Sequence, residues 1–378
     1  MSERARLLVI VNHAAARARR AWPDVRAYLE GERVRFDAHE SVRAGETEEA
    51  ARVAVARGYT TVAVVGGDGT LSAAASGYFE PCAPLAPGEL PRAVNPAASL
   101  AILPAGTGDD FARGLTGGRR EPLAVWLARL VNHTRADEEG RSGLRTGGER
   151  SAGLRVDEEG SGGLAGQSDD ASPQTSARGR PETTRSVDVL LGSVDGGLPG
   201  GAGGSARRFV CLNAATLGIG AEVAGRVAAQ RPTVRRLPGE ARFAWAALQS
   251  LAAWRDRRVR VRVDGGEWTE CRTNLIAVVN GTYAGGGMNF SPEARLDDGL
   301  LDVLMVCRLS RAALLRELAR VRRGGHLANP KVKLTRATRV RVETHDPADS
   351  LPVEADGDVR GHTPAEFQVM PGALRLVF

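Results

Sequence analysis

Lysine is almost missing from this chain. Its 51 basic residues include only Lys331 and Lys333, and the rest are arginines. A P-loop of the form G-x-x-x-x-G-K-[ST] needs a lysine on the phosphates, and a protein kinase needs one on a strand of its N-terminal lobe. No lysine precedes position 331, so neither class is open. If the chain handles ATP, it does so by another route. Aromatic residues are scarce as well, at 4%, so its cores must be built from Val, Leu, Ala and Ile. The cysteines Cys82, Cys211, Cys271 and Cys307 form no C-x-x-C pair. That argues against structural zinc and, in a long chain, against a disulfide framework; reduced, intracellular thiols are expected. The histidines form no H-E-x-x-H cluster, and His326 and His362 read as solvated loop residues. No G-x-S-x-G elbow anchors a hydrolase reading. No apolar run reaches membrane-spanning length, and the run at 7–11 is too short for a signal peptide.

A length of 378 residues suggests two domains. The net charge of +6 permits an anionic partner such as a nucleotide, an anionic lipid or nucleic acid. The arginine bias, with so much Ala and Gly, fits a G+C-rich genome better than a basic binding surface.

Residues 1–134 alternate strand-like and helix-like pieces. Apolar runs at 7–11, 61–65 and 100–103 read as strands, and 46–57, 71–76 and 110–115 as helices. Strand, glycine turn, helix, repeated, predicts an α/β domain with a parallel sheet. Ligands in such sheets sit at the carboxyl ends of the strands. Over 135–185 apolar periodicity disappears and Gly, Ser, Arg, Asp and Glu dominate, which reads as a low-complexity, disordered insertion. Residues 186–191 could be a strand. From 186 to 378 the chain is expected to form a β-rich, mostly antiparallel domain. Asp264-Gly265-Gly266 reads there as a hairpin turn after an alternating Val and Arg strand. The stretch 240–254 is a helix candidate with Phe243, Ala247, Leu251 and Trp254 on one side, expected to pack on the core and, less expectedly, to touch a membrane.

Chemistry concentrates in two glycine turns. Val64-Val65-Gly66-Gly67-Asp68-Gly69-Thr70 delivers a strand into glycines at a helix start. Missing side chains let backbone N–H groups approach phosphate oxygens, and the helix dipole favours their charge. Asp68 would act through a divalent cation or fix the turn. Leu103-Pro104-Ala105-Gly106-Thr107-Gly108-Asp109-Asp110 repeats the pattern. Its acids could merely cap a helix. Two such turns on successive parallel strands favour a shared phosphate and metal site.

These segments resemble the nucleotide-binding signature of the diacylglycerol-kinase catalytic-domain family, which includes bacterial lipid kinases and is related to sphingosine and ceramide kinases. Four later segments resemble the family too. They are the stretch from Leu212 to Ala221, the glycine hairpin from Val279 to Gly287, the acidic turn from Pro292 to Val303, and Asp356-Gly357-Asp358 where the family has Asp-Gly-Glu. The resemblance implies a fold like that of NAD kinases and diacylglycerol kinases. It implies ATP and Mg²⁺ as cofactors and a membrane lipid such as diacylglycerol as acceptor. Asp356 would be the general base. Asn12, Ser41, Gly66, Gly67, Asp68, Gly69, Thr70, Thr107 and Asp109 would contact the nucleotide. Asp68, Asp110 and Asp358 would serve the catalytic Mg²⁺, and Arg295, Asp298 and Leu300 a second, structural Mg²⁺ site. Without the resemblance, that acidic turn reads as a plain β-turn. A cytoplasmic protein with transient contact at the inner membrane face follows, with no nucleic-acid partner and a homodimer left open. Arg258, Arg260 and Arg262 could meet anionic headgroups or form a solvated strand face.

Three departures from the family pattern stand out. Asn12-His13-Ala14-Ala15-Ala16 replaces a loop that usually carries glycine and a hydroxyl. Asp109 stands where the family has Asn, and Asp358 where it has Glu. The alternatives are a kinase for sphingoid bases or other lipids, a soluble-substrate kinase of the NAD-kinase type, and a degenerate nucleotide-binding module without turnover.

Overall fold

The computed structural model describes residues 7–81, 89–148, 183–195, 206–230 and 239–378. Residues 149–182, which hold most of the segment read as an insertion, and Cys82 lie outside the described residues.

The first domain runs β1 (Leu7–Asn12), α1 (Ala16–Gly31), β2 (Phe36–Ser41), α2 (Glu46–Ala56), β3 (Thr61–Gly66), α3 (Asp68–Ser76), β4 (Ser99–Pro104), α4 (Asp110–Leu115) and α5 (Leu123–Gly148). The strands pair in parallel in the order β2-β1-β3-β4. β1 and β3 are near-continuous apolar runs because helices cover both faces of the sheet. In α1 the buried residues Ala18, Trp22, Val25 and Leu29 recur every three or four positions, forming one stripe against that core. The sequence reading marked no helix there. α5 runs through the boundary drawn at residue 134, so regular helix continues into the segment read as low-complexity.

The second domain holds β5 (Thr184–Asp195), β6 (Arg207–Cys211), β7 (Ala214–Gly218), α6 (Ile219–Ala228), α7 (Gly239–Ala253), β8 (Arg257–Val263) and β9 (Thr269–Val279). It continues with β10 (Tyr283–Ala284), β11 (Met288–Asn289), β12 (Leu301–Cys307), α8 (Arg311–Val321), β13 (Val332–Ala337), β14 (Arg339–Thr344), β15 (Pro352–Ala355) and β16 (Asp358–Val377). Strands β7, β9, β8, β14, β16 and β15 pair antiparallel in turn and close into a ring. Val259, Val261, Ile276, Val278, Val340 and Phe367 help fill it. Asp264 and Gly265, at φ 47° and 73°, make the expected β8–β9 turn.

The long β16 joins the two domains. Its Arg375 and Leu376 pair in parallel with Ser99 and Leu100 of β4, so the last strand of the chain completes the first sheet. At its other end β16 begins at the turn after β15, where the Asp356 carbonyl oxygen lies beside Gly69 at the start of α3.

Two expectations change. Cys271 and Cys307 form a disulfide across β9 and β12, with Cα atoms 6.2 Å apart, where the sequence reading expected separate thiols. The antiparallel pairing brings together residues that sequence spacing keeps 36 apart. His326 is buried, its Nε2 3.1 Å from the Phe290 carbonyl oxygen, and His362 lies in β16; neither is a solvated loop residue.

Candidate active site

The two glycine turns touch. A Cβ on Gly106 would stand 2.5 Å from Gly67 Cα, so the loops after β3 and β4 approach as only glycine permits. Asp68, the first residue of α3, reaches across this contact. Its Oδ2 accepts from Asp110 N at 3.0 Å and its Oδ1 from Phe111 N at 3.0 Å. It thus caps α4 from the neighbouring strand. Burial pushes its carboxyl above the usual range, the two amides pull it back, and the charge of Asp356 pushes it up again.

Asp110 is buried beside it. Its Oδ2 accepts from Gly286 N at 2.6 Å, in the glycine hairpin of the second domain. Its Oδ1 has no hydrogen-bond partner among the described residues; the Arg113 Nη1 is 4.0 Å away. Burial first, then the Asp68 charge, raise the Asp110 carboxyl to about 6.

Asp356 sits opposite. It occupies the tip between β15 and β16 at φ 49°, followed by Gly357 at φ 95°. An Asp-Gly pair suits that left-handed turn. Its Oδ2 accepts from Leu212 N at 2.7 Å, and its Oδ1 from Asn213 N at 3.1 Å and Ala214 N at 3.2 Å. The carboxylate is thereby held rigidly at the start of β7. The Asp356 carbonyl oxygen lies 3.8 Å from where a Gly69 Cβ would be. The structure therefore brings Asp68, Asp110 and Asp356, distant in sequence, to one cleft.

The other expected residues divide. Asn12 Nδ2 donates to Thr70 Oγ1 at 2.8 Å, and its Oδ1 accepts from Ala14 N and Ala15 N, so it shapes the altered 12–16 loop by itself. Ser41 is buried and spends its hydroxyl on the Val11 carbonyl and on Thr47. Thr107 lies in the second turn. Asp109 holds φ 49° and accepts from Gly106 N at 2.8 Å. Asn and Asp both tolerate that conformation and both offer the acceptor, which explains how Asp replaces Asn here. Asp358 is solvent-facing and pairs with Arg360 at 3.6 Å; none of its described contacts reaches Asp68 or Asp110. Arg295 pairs with Asp297, and Asp298 Oδ1 accepts from Leu300 N at 3.1 Å. Gly299 N donates to Asp188 at 2.7 Å, so protein groups close that acidic turn.

Several residues of the site escaped the sequence reading. Arg17 Nη1 donates to Gly106 O at 2.9 Å, and Arg120 Nη2 donates to Thr107 O at 2.8 Å and Gly108 O at 2.9 Å. In so arginine-rich a chain nothing marks these two. Glu354 is buried two residues from Asp356. It accepts from Thr216 Oγ1 at 2.6 Å and from Gly357 N, and burial pushes its carboxyl up to about 7. Its alternation with Val353 and Ala355, which point into the ring core, could have flagged the opposite face. Cys211 lies buried beside Asp356, and burial, then that charge, push its thiol well up.

Among the described residues no three His, Cys, Asp or Glu side chains converge on a metal position. Mg²⁺ on nucleotide phosphates needs only one or two carboxylates, with water and phosphate oxygens completing its shell. The Asp68–Asp110 pair, with the orphaned Asp110 Oδ1, fits that smaller demand.

Residues 6–138 match the diacylglycerol kinase catalytic domain, and residues 214–378 match the YegS C-terminal NAD kinase beta sandwich-like domain. The chain thus joins a segment similar to the diacylglycerol kinase catalytic domain to one similar to the YegS C-terminal domain. Family relatives are similar at moderate identity. A diacylglycerol kinase of Mycobacterium tuberculosis (strain ATCC 25618 / H37Rv) is 34% identical over 139 residues, covering 37% of this chain and 44% of that protein. The match thus spans less than half the length of the mycobacterial relative. A probable YegS-like lipid kinase of Pseudomonas aeruginosa (strain UCBPP-PA14) is 27% identical over 332 residues, 88% of this chain and 81% of its own length. The crystal structure of a diacylglycerol kinase from Bacillus anthracis str. Sterne superposes with a TM-score of 0.58 at 18% identity, covering 100% of this chain and 98% of that one. That likeness establishes the family's fold over both domains. Among the described residues no helix is long and apolar enough to cross a membrane.

Proposed function

We propose that this chain transfers the γ-phosphoryl group of ATP to the hydroxyl of a membrane lipid, diacylglycerol giving phosphatidic acid, with Asp356 as general base. One observation carries the reading: the first glycine turn and the Asp356 turn meet at Gly69, so a nucleotide side and a base side share one cleft. The two domain matches and the lipid-kinase relatives support ATP as donor and a lipid as acceptor.

The backbone N–H groups around Gly67 and Gly69 would receive the phosphates, with no side chain in the way. Arg17 and Arg120 brace the second turn through its carbonyls. Asp356, fixed by three amides, accepts the proton of the lipid hydroxyl. That oxygen bonds to the γ-phosphorus as the bond to ADP breaks, and ADP keeps the electron pair. Asp68 and Asp110 would hold Mg²⁺, which when bound offsets the negative charge on the transferred group. ATP as donor and a membrane lipid as acceptor support action at the inner face of the cytoplasmic membrane.

Asp356→Asn tests the assignment. With radiolabelled ATP and a panel of detergent-dispersed lipids, the wild type should label diacylglycerol and the variant should not, while both bind ATP equally by calorimetry. Turnover by the variant would remove Asp356 as base. A wild type that labels NAD and no lipid would replace the reading with a soluble-substrate kinase.

A further inference from the structure

Helix α7 has two apolar faces. The inner one packs as the sequence suggests: Ala246 and Ala247 are buried against Val223 of α6, and Phe243 joins them. The outer one faces solvent. Trp245 is 51% exposed and Leu248 53%, with Ala244, Ala252 and Ala253 on the same side. Between Ala241 and Ala253 the one charged residue is Arg242, half-buried and bonded to Gln230, and Gln249 is the one exposed polar residue. The solvent face of a helix ordinarily carries charge.

Helix α8 packs beside it, and Arg311 Nη2 donates to the Trp254 carbonyl at 3.0 Å, tying the end of α7 to the start of α8. α8 exposes Leu315 at 53% and Leu318 at 39%. From Arg311 to Arg323 five arginines stand against one carboxylate, Glu317. Glu317 engages Arg316 and Arg320, and Arg311, Arg322 and Arg323 remain as exposed cations. Exposed apolar side chains on α7 and α8 together with exposed arginines along α8 are the composition of a surface that lies in a lipid interface. The alternating strand at 258–262 is a weaker candidate. Arg260 there is held by Glu343 at 2.5 Å and stacks with Arg262 on Trp268.

The position of α7 suits the chemistry. The Phe243 ring lies beside Gly285, next to the Gly286 amide that holds Asp110. The inner face of α7 therefore touches the hairpin over the candidate phosphoryl-transfer site, while the outer face is open. A lipid whose hydroxyl reaches Asp356 still has its acyl chains in the bilayer.

We propose that the outer face of α7, with Leu315 and Leu318 of α8, docks onto an anionic phospholipid bilayer. Trp245 and Leu248 enter the acyl boundary, and the α8 arginines meet the phosphate headgroups. This inference rests on the lipid-kinase reading and adds the surface through which the substrate is reached.

Vesicle sedimentation of the full chain tests it, using phosphatidylcholine alone and phosphatidylcholine mixed with phosphatidylglycerol. The wild type should sediment with the mixed vesicles and more weakly with phosphatidylcholine. Trp245→Glu with Leu248→Glu should weaken binding to both by about tenfold or more. Arg322→Glu with Arg323→Glu should weaken binding to the mixed vesicles alone. Thermal midpoints of both variants should match the wild type, because the changed side chains are exposed. Vesicle binding by the Trp245 and Leu248 variant equal to that of the wild type overturns the proposal, as does a wild type that sediments with neither vesicle. If size exclusion shows that variant falling from dimer to monomer with vesicle binding intact, the face belongs to a second copy and the proposal fails. Wild-type labelling of detergent-dispersed diacylglycerol, measured in parallel, reports on the kinase reading separately: activity without sedimentation sinks only the docking face.

Discussion

Gly69 and Asp356 face each other across the cleft, with the Asp356 carbonyl oxygen 3.8 Å from the vacant Cβ position of Gly69. That distance is ordinary van der Waals contact, so the protein alone would accept alanine. Gly69 also lies in the first turn of α3, where alanine is the better helix former. Gly69→Ala should therefore raise unfolding stability by about 0.5–1 kcal/mol. It should at the same time weaken ATP binding, because the new methyl group occupies the path to the backbone amides. Denaturant melts and calorimetry give the two signs separately; unchanged ATP affinity would show that phosphates do not sit on this turn.

Asp68 is expected to matter even without nucleotide. It satisfies two N–H groups at the start of α4. Asp68→Ala should cost about 1–2 kcal/mol in chemical denaturation of the ligand-free protein. A variant as stable as the wild type would mean that solvent serves these amides equally well and that Asp68 has no capping role.

Glu354 predicts a pH dependence. Its carboxyl is raised from 4.5 to about 7, so the folded state binds its proton more tightly than the unfolded chain does. Its contribution is complete below pH 4.5 and is lost as pH rises through that window to about 7. Glu354→Gln should remove the slope. The variant should match the wild type near pH 4 and exceed it by roughly 3 kcal/mol at about pH 8. The Thr216 hydroxyl can turn to accept from the new amide, which keeps the pair bonded. Parallel melts at the two pH values decide the matter: a wild-type slope surviving in the variant would place its origin elsewhere.

Arg120 braces the second glycine turn from an exposed position, through the carbonyls of Thr107 and Gly108. Arg120→Ala should leave stability within about 0.5 kcal/mol, as surface substitutions do. It should raise the KM for ATP about tenfold with a smaller change in KM for the lipid, since two hydrogen bonds that order the loop are gone. Equal effects on both substrates would argue for a general disturbance of the cleft.

Much of the first domain was legible because its signals are local. Apolar runs ending in glycine turns at Gly66 and Gly106 state strand, turn and helix within ten or so neighbours. α1 was harder to see, since its apolar stripe of Ala18, Trp22, Val25 and Leu29 is diluted by arginine on every other side. The meaning of Asp109 was hidden too: its left-handed backbone, which makes Asp as good as Asn, shows only in the folded loop.

The amino-acid order by itself determined the two glycine turns, the Asp-Gly tip at 356–357, the alternating strands of the second domain and the exclusion of lysine-dependent phosphate chemistry. Each depends on φ preference, side-chain period or residue type, which are properties of a short stretch. Only the tertiary structure decided that β16 returns to β4 and carries Asp356 to Gly69. It alone turned Asp68 into the cap of α4, buried Glu354, joined Cys271 to Cys307 and left Trp245 facing out. Those outcomes depend on distances between residues far apart in the chain, and such distances exist only once the strands have chosen their neighbours.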